Sequence, residues 1–220
     1  MMKCLIVSGG TIEANDLVNY INAQEVKPYI IGVDGGCQVL YELGIVPNTI
    51  LGDFDTLDQQ VKGYFARQQV PIHQLDPIKD YTDTHAAFEE AKALGANAID
   101  VFGFFGSRLD HSLGALLTAF KYSAQITIRF YDKHNIVFVV DGAYELTIYK
   151  TSKNLKRDFK YLSIIPIEKS YINETRNLKY PLKNAWLFAY DSYGVSNEII
   201  EEQGTIDVQS GRLFVIQSND

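Results

Sequence analysis

The chain has 220 residues, 46% of them hydrophobic and 21% charged, and a formal net charge of −7. That length accommodates one large domain or two modest ones with a substantial core. The acidic balance argues against a nucleic-acid surface, yet it leaves room for a nucleotide site, which needs only local positive charge and a metal.

The N-terminal apolar run, Cys4 to Val7, is too short for a signal peptide. No segment approaches the length of a membrane span, so a soluble, cytoplasmic protein without membrane partners is expected. Cys4 and Cys37 lie in apolar segments far from any CxxC spacing, and both read as buried thiols. Strand and helix signals then alternate. Cys4–Val7 is a short apolar run ending in Ser8-Gly9-Gly10. Residues 13–22 carry a helical pattern. Tyr29–Val33 is a second strand run ending in Asp34-Gly35-Gly36. Residues 38–43 read as a helix stopped by Gly44 and Pro47. Ile50 and Leu51 begin a third strand that leads into Gly52-Asp53-Phe54-Asp55-Thr56. A helix over 58–68, a strand over 70–75 and a helix from Thr82 or Asp83 to the stop at Gly95 follow. Residues 99–104 form a fifth strand, and Leu113, Leu116, Leu117 and Phe120 a helical stripe. Near-continuous apolar strands alternating with helices predict a parallel sheet covered on both faces.

The texture changes near Ala124. Runs over 126–131, 136–140, 144–149, 161–166, 185–190 and 213–217 are short, β-rich and separated by turn residues. Such punctuation predicts an antiparallel sandwich or barrel. The expected class is α/β: a Rossmann-like parallel sheet over residues 1–124, followed by a C-terminal antiparallel β-sandwich over 125–220. The polar segment from Thr151 to Lys160 reads as a mobile loop. Trp186 reads as a tryptophan of the sandwich core, with a stacking surface for a ligand as the alternative.

The chemistry gathers at strand ends, where open α/β sheets bind ligands. In an extended strand Asp53 and Asp55 share a face, with Phe54 turned into packing. Two carboxylates that close repel unless a cation lies between them, and hard oxygen ligands of this kind suit Mg²⁺. The ordinary alternative is a solvated turn. Asp34-Gly35-Gly36 offers a further carboxylate, and glycines let backbone N–H groups approach phosphate oxygens. Asp80 and Asp83 precede or open a helix, where an acid serves either as a cap or as a site residue. Arg108 has the fork that clamps phosphate oxygens. Asp110 would orient Arg108 or His111, or cap the next helix. The chain has no GxxxxGK[ST] loop, no GxGxxG fingerprint and no nucleophile motif.

Taken in order, Asp34-Gly35-Gly36, Pro47 through Gly52-Asp53-Phe54-Asp55-Thr56, Lys79-Asp80-Tyr81-Thr82-Asp83-Thr84 and Arg108-Leu109-Asp110-His111 resemble the thiamine pyrophosphokinase family. So do Asn177-Leu178-Lys179-Tyr180-Pro181-Leu182 and Gly194-Val195-Ser196-Asn197-Glu198. The resemblance spans nearly the whole chain. It implies an ATP- and Mg²⁺-binding catalytic domain followed by a thiamine-binding β-sandwich. It also implies a homodimer with active sites between the subunits, and transfer of a pyrophosphoryl group from ATP to the thiamine hydroxyl with release of AMP. On the same basis Asp34, Asp53, Asp55 and Asp83 hold the metal. Asp55, Asp83 and Arg108 carry the catalysis. Gly35, Gly36, Asp80, Asp110, His111, Ser196 and Asn197 contact or support the bound substrates. The loop before Arg108 departs from the family pattern, with Phe104, Phe105 and Ser107 where glycine is more usual. A pyrophosphokinase for a hydroxymethylpterin and a non-catalytic nucleotide or thiamine sensor are the alternatives.

Overall fold

The computed structural model describes residues 2–55, 57–78 and 80–220. The Thr56 and Lys79 positions of the motifs above lie outside the described residues. The chain divides into two compact units, Met1–Lys133 and His134–Asp220.

In the first unit the elements run β1 (Lys3–Val7), α1 (Ala14–Asn22), β2 (Tyr29–Val33), α2 (Gly35–Glu42), β3 (Thr49–Gly52), α3 (Gln59–Arg67), β4 (Ile72–Gln74), α4 (Asp83–Ala93), β5 (Ala98–Phe102), α5 (Leu109–Ala119) and β6 (Thr127–Tyr131). The six strands are parallel, in the order β6-β5-β1-β2-β3-β4. Consecutive residues of β1, β2, β3 and β5 are buried, so both faces of the sheet are covered. The strand order reverses at β1. Its neighbours β2 and β5 lead the chain away in opposite directions, which opens a crevice beyond the carboxyl ends of the strands.

β6 lies beyond the change of texture at Ala124, yet it pairs in parallel with β5. Buried Ile128, Phe130 and Tyr131 anchor it there, and a buried charge pair joins the two strands. Asp100 on β5 is fully buried and stands opposite Arg129 on β6. The guanidinium donates to both carboxylate oxygens, from Nε at 2.7 Å and Nη2 at 2.9 Å, and the Tyr20 hydroxyl donates as well. A buried carboxylate without that partner would be strongly destabilising. α5 carries the expected helical stripe on a mostly outward face. It buries Ser112, Ala115 and Ala119 and turns Leu109, Leu113 and Leu117 outward. Cys4 and Cys37 are buried free thiols.

The second unit comprises β7 (Asn135–Asp141), β8 (Tyr144–Tyr149), β9 (Thr151–Ser152), β10 (Arg157–Asp158), β11 (Tyr161–Pro166), β12 (Ser170–Arg176), β13 (Lys183–Leu187), β14 (Gln203–Ser210) and β15 (Arg212–Ser218). Antiparallel strands run in the orders β11-β15-β7 and β13-β12-β14-β8. Leu162, Ile164, Leu213 and Val215 from the first set share one core with Ile148, Ile172, Ile206 and Val208 from the second. That shared core makes the unit a sandwich. Shaving Ile172 or Ile206 to alanine would cost about 2–5 kcal/mol, because each is completely buried. The segment expected to be a mobile loop is instead the β9–β10 hairpin. Buried Leu155 and Phe159 pin it, and the Thr151 hydroxyl donates to Asp158. Trp186 is not in the core. Half of it is exposed, its ring meets Tyr171 edge-on, and Lys169 Nζ lies 4.1 Å from its centroid.

Candidate active site

A cavity of about 520 Å³ occupies the crevice at the carboxyl ends of β1, β2, β3 and β5. Asp34, Gly35, Asp53, Asp55, Asp83, Arg108 and His111 all line it. Four carboxylates and one guanidinium, separated by up to 74 positions in the chain, thus share one space.

Each arrives by a local necessity. β2 ends at Val33, and Asp34 turns the chain with φ +42° before α2 begins. Its carboxylate makes no capping bond to α2 and is left to face the cavity. Gly36 follows because a Cβ there would overlap the Val7 carbonyl oxygen. Gly36 is therefore a packing glycine rather than a lining one. β3 ends at Gly52, where φ is +152° and a side chain would fall on the Asp34 carboxylate.

Asp53 and Asp55 do not share a face through strand alternation, because the strand has already ended. Phe54 adopts φ +56°, a conformation that costs a bulky residue about 1–3 kcal/mol. Its ring is buried, and its N–H points to Asp34 Oδ1 at 3.4 Å. The Asp55 N–H donates to Asp53 Oδ1 at 3.1 Å. A tight turn of this kind brings both acids to the cavity wall, which is the outcome expected from the sequence, reached by other geometry.

Asp83 does not cap α4. Thr82 is the cap, and its hydroxyl accepts from the His85 N–H at 3.2 Å. Asp83 occupies the first helical position and interacts with Asp34. Burial, then the neighbouring Asp83 carboxylate, push the Asp34 pKa up to about 7, with Asp53 adding to the effect.

Arg108 precedes α5. Asp110 holds it with a two-pronged pair, Nε to Oδ1 at 3.2 Å and Nη2 to Oδ2 at 2.6 Å. This bonding raises the pKa of Arg108 and lowers that of Asp110. Asp110 thus orients Arg108 and does not itself line the cavity. Asp80 is exposed and also stands outside the lining. Sequence reasoning passed over Ser8, Gly9 and Gly10, which line the cavity from the end of β1. Their backbone is laced to the loop after β5, with Ser8 N–H to the Phe102 carbonyl at 2.9 Å and Gly10 N–H to that of Gly103 at 2.9 Å. The Ser8 hydroxyl lies 3.1 Å from that of Thr84. The signal was present: Ser8-Gly9-Gly10 repeats the strand-then-glycines pattern of Asp34-Gly35-Gly36.

In the second unit, Ser196 is exposed at φ +60° and its N–H donates to Ser163 Oγ at 3.0 Å. Asn197 is buried. Its Oδ1 accepts from the N–H groups of Tyr180 (3.0 Å) and Glu198 (2.9 Å), and its Nδ2 donates to the Tyr180 carbonyl at 2.7 Å. The amide therefore clamps Tyr180 to the 194–198 segment.

The acid set fits a divalent cation in one specific way. Carboxylates crowded enough to hold a proton near neutrality have charge that a cation relieves. Among the described residues no group of three or more His, Cys, Asp or Glu side chains is placed to hold a metal ion by itself. An open group of acids in a cleft suits Mg²⁺, which takes one or two carboxylates and completes its shell with water and substrate phosphates.

A parallel α/β sheet, a crevice at its reversal point, clustered acids and an oriented arginine define a phosphate-handling α/β protein. Comparison with known proteins makes this specific. Residues 20–131 match the model of the thiamin pyrophosphokinase catalytic domain, and residues 145–213 that of the thiamin pyrophosphokinase vitamin B1 binding domain. The chain is 31% identical to the thiamine pyrophosphokinase of Bacillus subtilis over 98% of both chains. The crystal structure of that Bacillus subtilis protein aligns with a TM-score of 0.86, covering 99% of each chain. The thiamin pyrophosphokinase of Geobacillus thermodenitrificans, 30% identical, aligns with a TM-score of 0.83 over 100% of this chain and 98% of its own. This chain belongs to the thiamine pyrophosphokinase family.

Proposed function

We propose that this protein transfers the pyrophosphoryl group of ATP to the hydroxyl of thiamine, giving thiamine diphosphate and AMP. The observation that carries the reading is the convergence of Asp34, Asp53, Asp55, Asp83 and Arg108 on one cavity. The first unit is the nucleotide-binding catalytic domain and the second the thiamine-binding one, in keeping with the two matched family models. Asp34, Asp53, Asp55 and Asp83 are the carboxylates from which Mg²⁺ would take one or two, with water and substrate phosphates completing its shell, and the ion would offset phosphate charge and make the phosphorus more electrophilic. Gly35 and the Ser8–Gly10 turn present backbone N–H groups to phosphate oxygens. Arg108 turns from Asp110 to the phosphates, while His111 lines the same wall. The thiamine hydroxyl oxygen bonds to the β-phosphorus, the bond to the α,β-bridging oxygen breaks, and AMP departs with that electron pair. The hydroxyl proton passes to a carboxylate, Asp55 or Asp83. Little covalent work falls to the protein, so positioning and charge neutralisation dominate.

Ser196 stays the candidate thiamine contact in the second unit, and Asn197 supports it by holding the segment in place. The working form is a homodimer with its subunit boundary at the active site. In support, α5 lines the cavity with His111, Ser112 and Ala115, while its outward Leu109, Leu113 and Leu117 are each about half exposed or more. Solvent-facing leucines at that spacing are an unusual helix surface for a monomer. The test is incubation with ATP, Mg²⁺ and thiamine, with separation of the nucleotide products. AMP together with thiamine diphosphate is expected. ADP as the product, or turnover only with a hydroxymethylpterin, overturns the reading.

A further inference from the structure

The turn that presents Asp53 and Asp55 is held from behind. β4 runs beside β3 with Gln74 in register with Gly52, and the Leu75 N–H donates to the Gly52 carbonyl at 2.8 Å. Backbone pairing therefore stops one residue short of Asp53. The Gln74 side chain continues it. Its Nε2 donates to the Asp53 carbonyl oxygen at 3.1 Å. Its Oε1 accepts from Lys62 Nζ on α3 at 2.7 Å, which fixes the amide with its N–H₂ toward Asp53. The same ammonium lies 4.9 Å from the centre of the Phe54 ring. One lysine thus holds both the glutamine that tethers the peptide after Asp53 and the ring of the residue with positive φ.

We infer that Gln74 and Lys62 are positioning residues for the acidic turn, setting the direction of the Asp53 and Asp55 carboxylates toward a bound divalent cation. This rests on the reading of those acids as the cation site. The physical case is that a turn with a bulky residue at φ +56° persists only when its surroundings over-determine it. The Gln74–Lys62 pair supplies two of those constraints, on the peptide before Phe54 and on its ring. Neither residue touches the cavity. Groups that orient metal ligands from behind change metal affinity when they are removed.

The test uses Gln74→Met, which keeps length and removes the donor, and Lys62→Met, which keeps apolar cover over Phe54 and removes the ammonium. Mn²⁺ binding in the presence of ATP, read directly by the electron paramagnetic resonance signal of free Mn²⁺, should weaken about tenfold in Gln74→Met, at the lower end of the effect of such outer partners. Lys62→Met should weaken it less. The double variant should fall short of the product of the two, because they act through one contact chain. The thiamine KM at saturating cation should stay put. Unchanged Mn²⁺ affinity in Gln74→Met overturns the inference, and so does full additivity of the two substitutions. If the wild-type protein itself binds no Mn²⁺, the reading of the acids as a cation site fails instead. The positioning role is then judged by amide exchange: Gln74→Met should speed exchange at Phe54 and Asp55 about tenfold, corresponding to about 1.4 kcal/mol of lost local stability. Unchanged exchange there overturns it.

Discussion

Two short polar turns, one in each unit, look alike on paper and behave in opposite ways. Asp53-Phe54-Asp55 and Ser196-Asn197 each contain one residue with positive φ, Phe54 at +56° and Ser196 at +60°. The first turn sends its carboxylates into a cavity already crowded with Asp34 and Asp83. The second commits Asn197 to its own chain, through two accepted hydrogen bonds and one donated. Charge left to be neutralised by something else marks chemistry. Polar groups satisfied inside the chain mark scaffold. The same resemblance covers both turns, and only the bonding distinguishes carboxylates that line a cavity from an amide tied within its own chain.

The comparison is tested most severely at the acids. Asp53→Asn and Asp55→Asn should each lower turnover at least about 100-fold, the scale of disturbing a metal's surroundings, with the circular dichroism spectrum and melting temperature preserved. Rates like wild type in both variants would mean that the metal lies elsewhere. Arg108 comes next. Its guanidinium is exposed and held by Asp110, so Arg108→Ala should leave the fold intact. Losing a charge-assisted pair to phosphate is worth about 1.5–3 kcal/mol, or roughly 10- to 100-fold in kcat/KM for ATP. Arg108→Lys should recover only part of it, because a point charge cannot make the two-pronged contact. An effect on thiamine KM alone would place Arg108 on the wrong substrate.

The same contrast explains what could be read from residues alone. Apolar strand runs ending in small or acidic residues made the parallel sheet legible, together with the edge at which Asp34, Asp53 and Asp83 meet. Strands β12 and β14 escaped. Their sequences, Ser170-Tyr171-Ile172-Asn173-Glu174-Thr175-Arg176 and Gln203-Gly204-Thr205-Ile206-Asp207-Val208, look polar, and only alternate positions such as Ile172, Ile206 and Val208 reach the core. Leu113 and Leu117 show the converse: their spacing revealed a helix with an apolar face, but not that this face turns outward. Whether Asp83 caps α4 could not be read from spacing, because Thr82 beside it is an equally good cap and takes that place. Gln74 and Lys62 carry no motif at all, because their meaning depends on a register between two strands and a reach from α3.

The scaffold side of the comparison predicts a stability effect rather than a catalytic one. Asn197→Ala removes three hydrogen bonds of a buried side chain. At about 1 kcal/mol each the loss is roughly 3 kcal/mol, and for a chain of this size the melting temperature should drop by roughly 6–12 °C. Asn197→Asp is the sharper variant. It keeps the acceptor for Tyr180 and Glu198 but sets a carboxylate oxygen against the Tyr180 carbonyl and buries its charge, so a drop at least as large is expected at neutral pH, shrinking as the pH falls and the carboxyl is protonated. A melting temperature unchanged in Asn197→Ala, combined with a large rise in thiamine KM, would move Asn197 from scaffold to direct contact.

The smallest expected effect lies at Asp34 and probes the crowding itself. In the folded chain its carboxyl keeps a proton up to about pH 7, whereas the ordinary value is 3.8. Between those values the native state binds more protons than the unfolded one, so this group makes stability fall as pH rises. The contribution is fully present below the ordinary value and is lost as pH passes through 7. Without divalent cation, the melting temperature of the wild-type protein should therefore decline from pH 5 to pH 8 by more than that of Asp34→Asn, which carries no charge to bury at either pH. Added Mg²⁺ should stabilise the wild type more at pH 8 than at pH 5, because at the lower pH the cation must displace a proton. Asp34→Asn should lose most of that difference. Parallel pH slopes in the two proteins would show that the acids at this sheet edge are not crowded in solution, and the line drawn between the two turns would then rest on the Asn197 clamp alone.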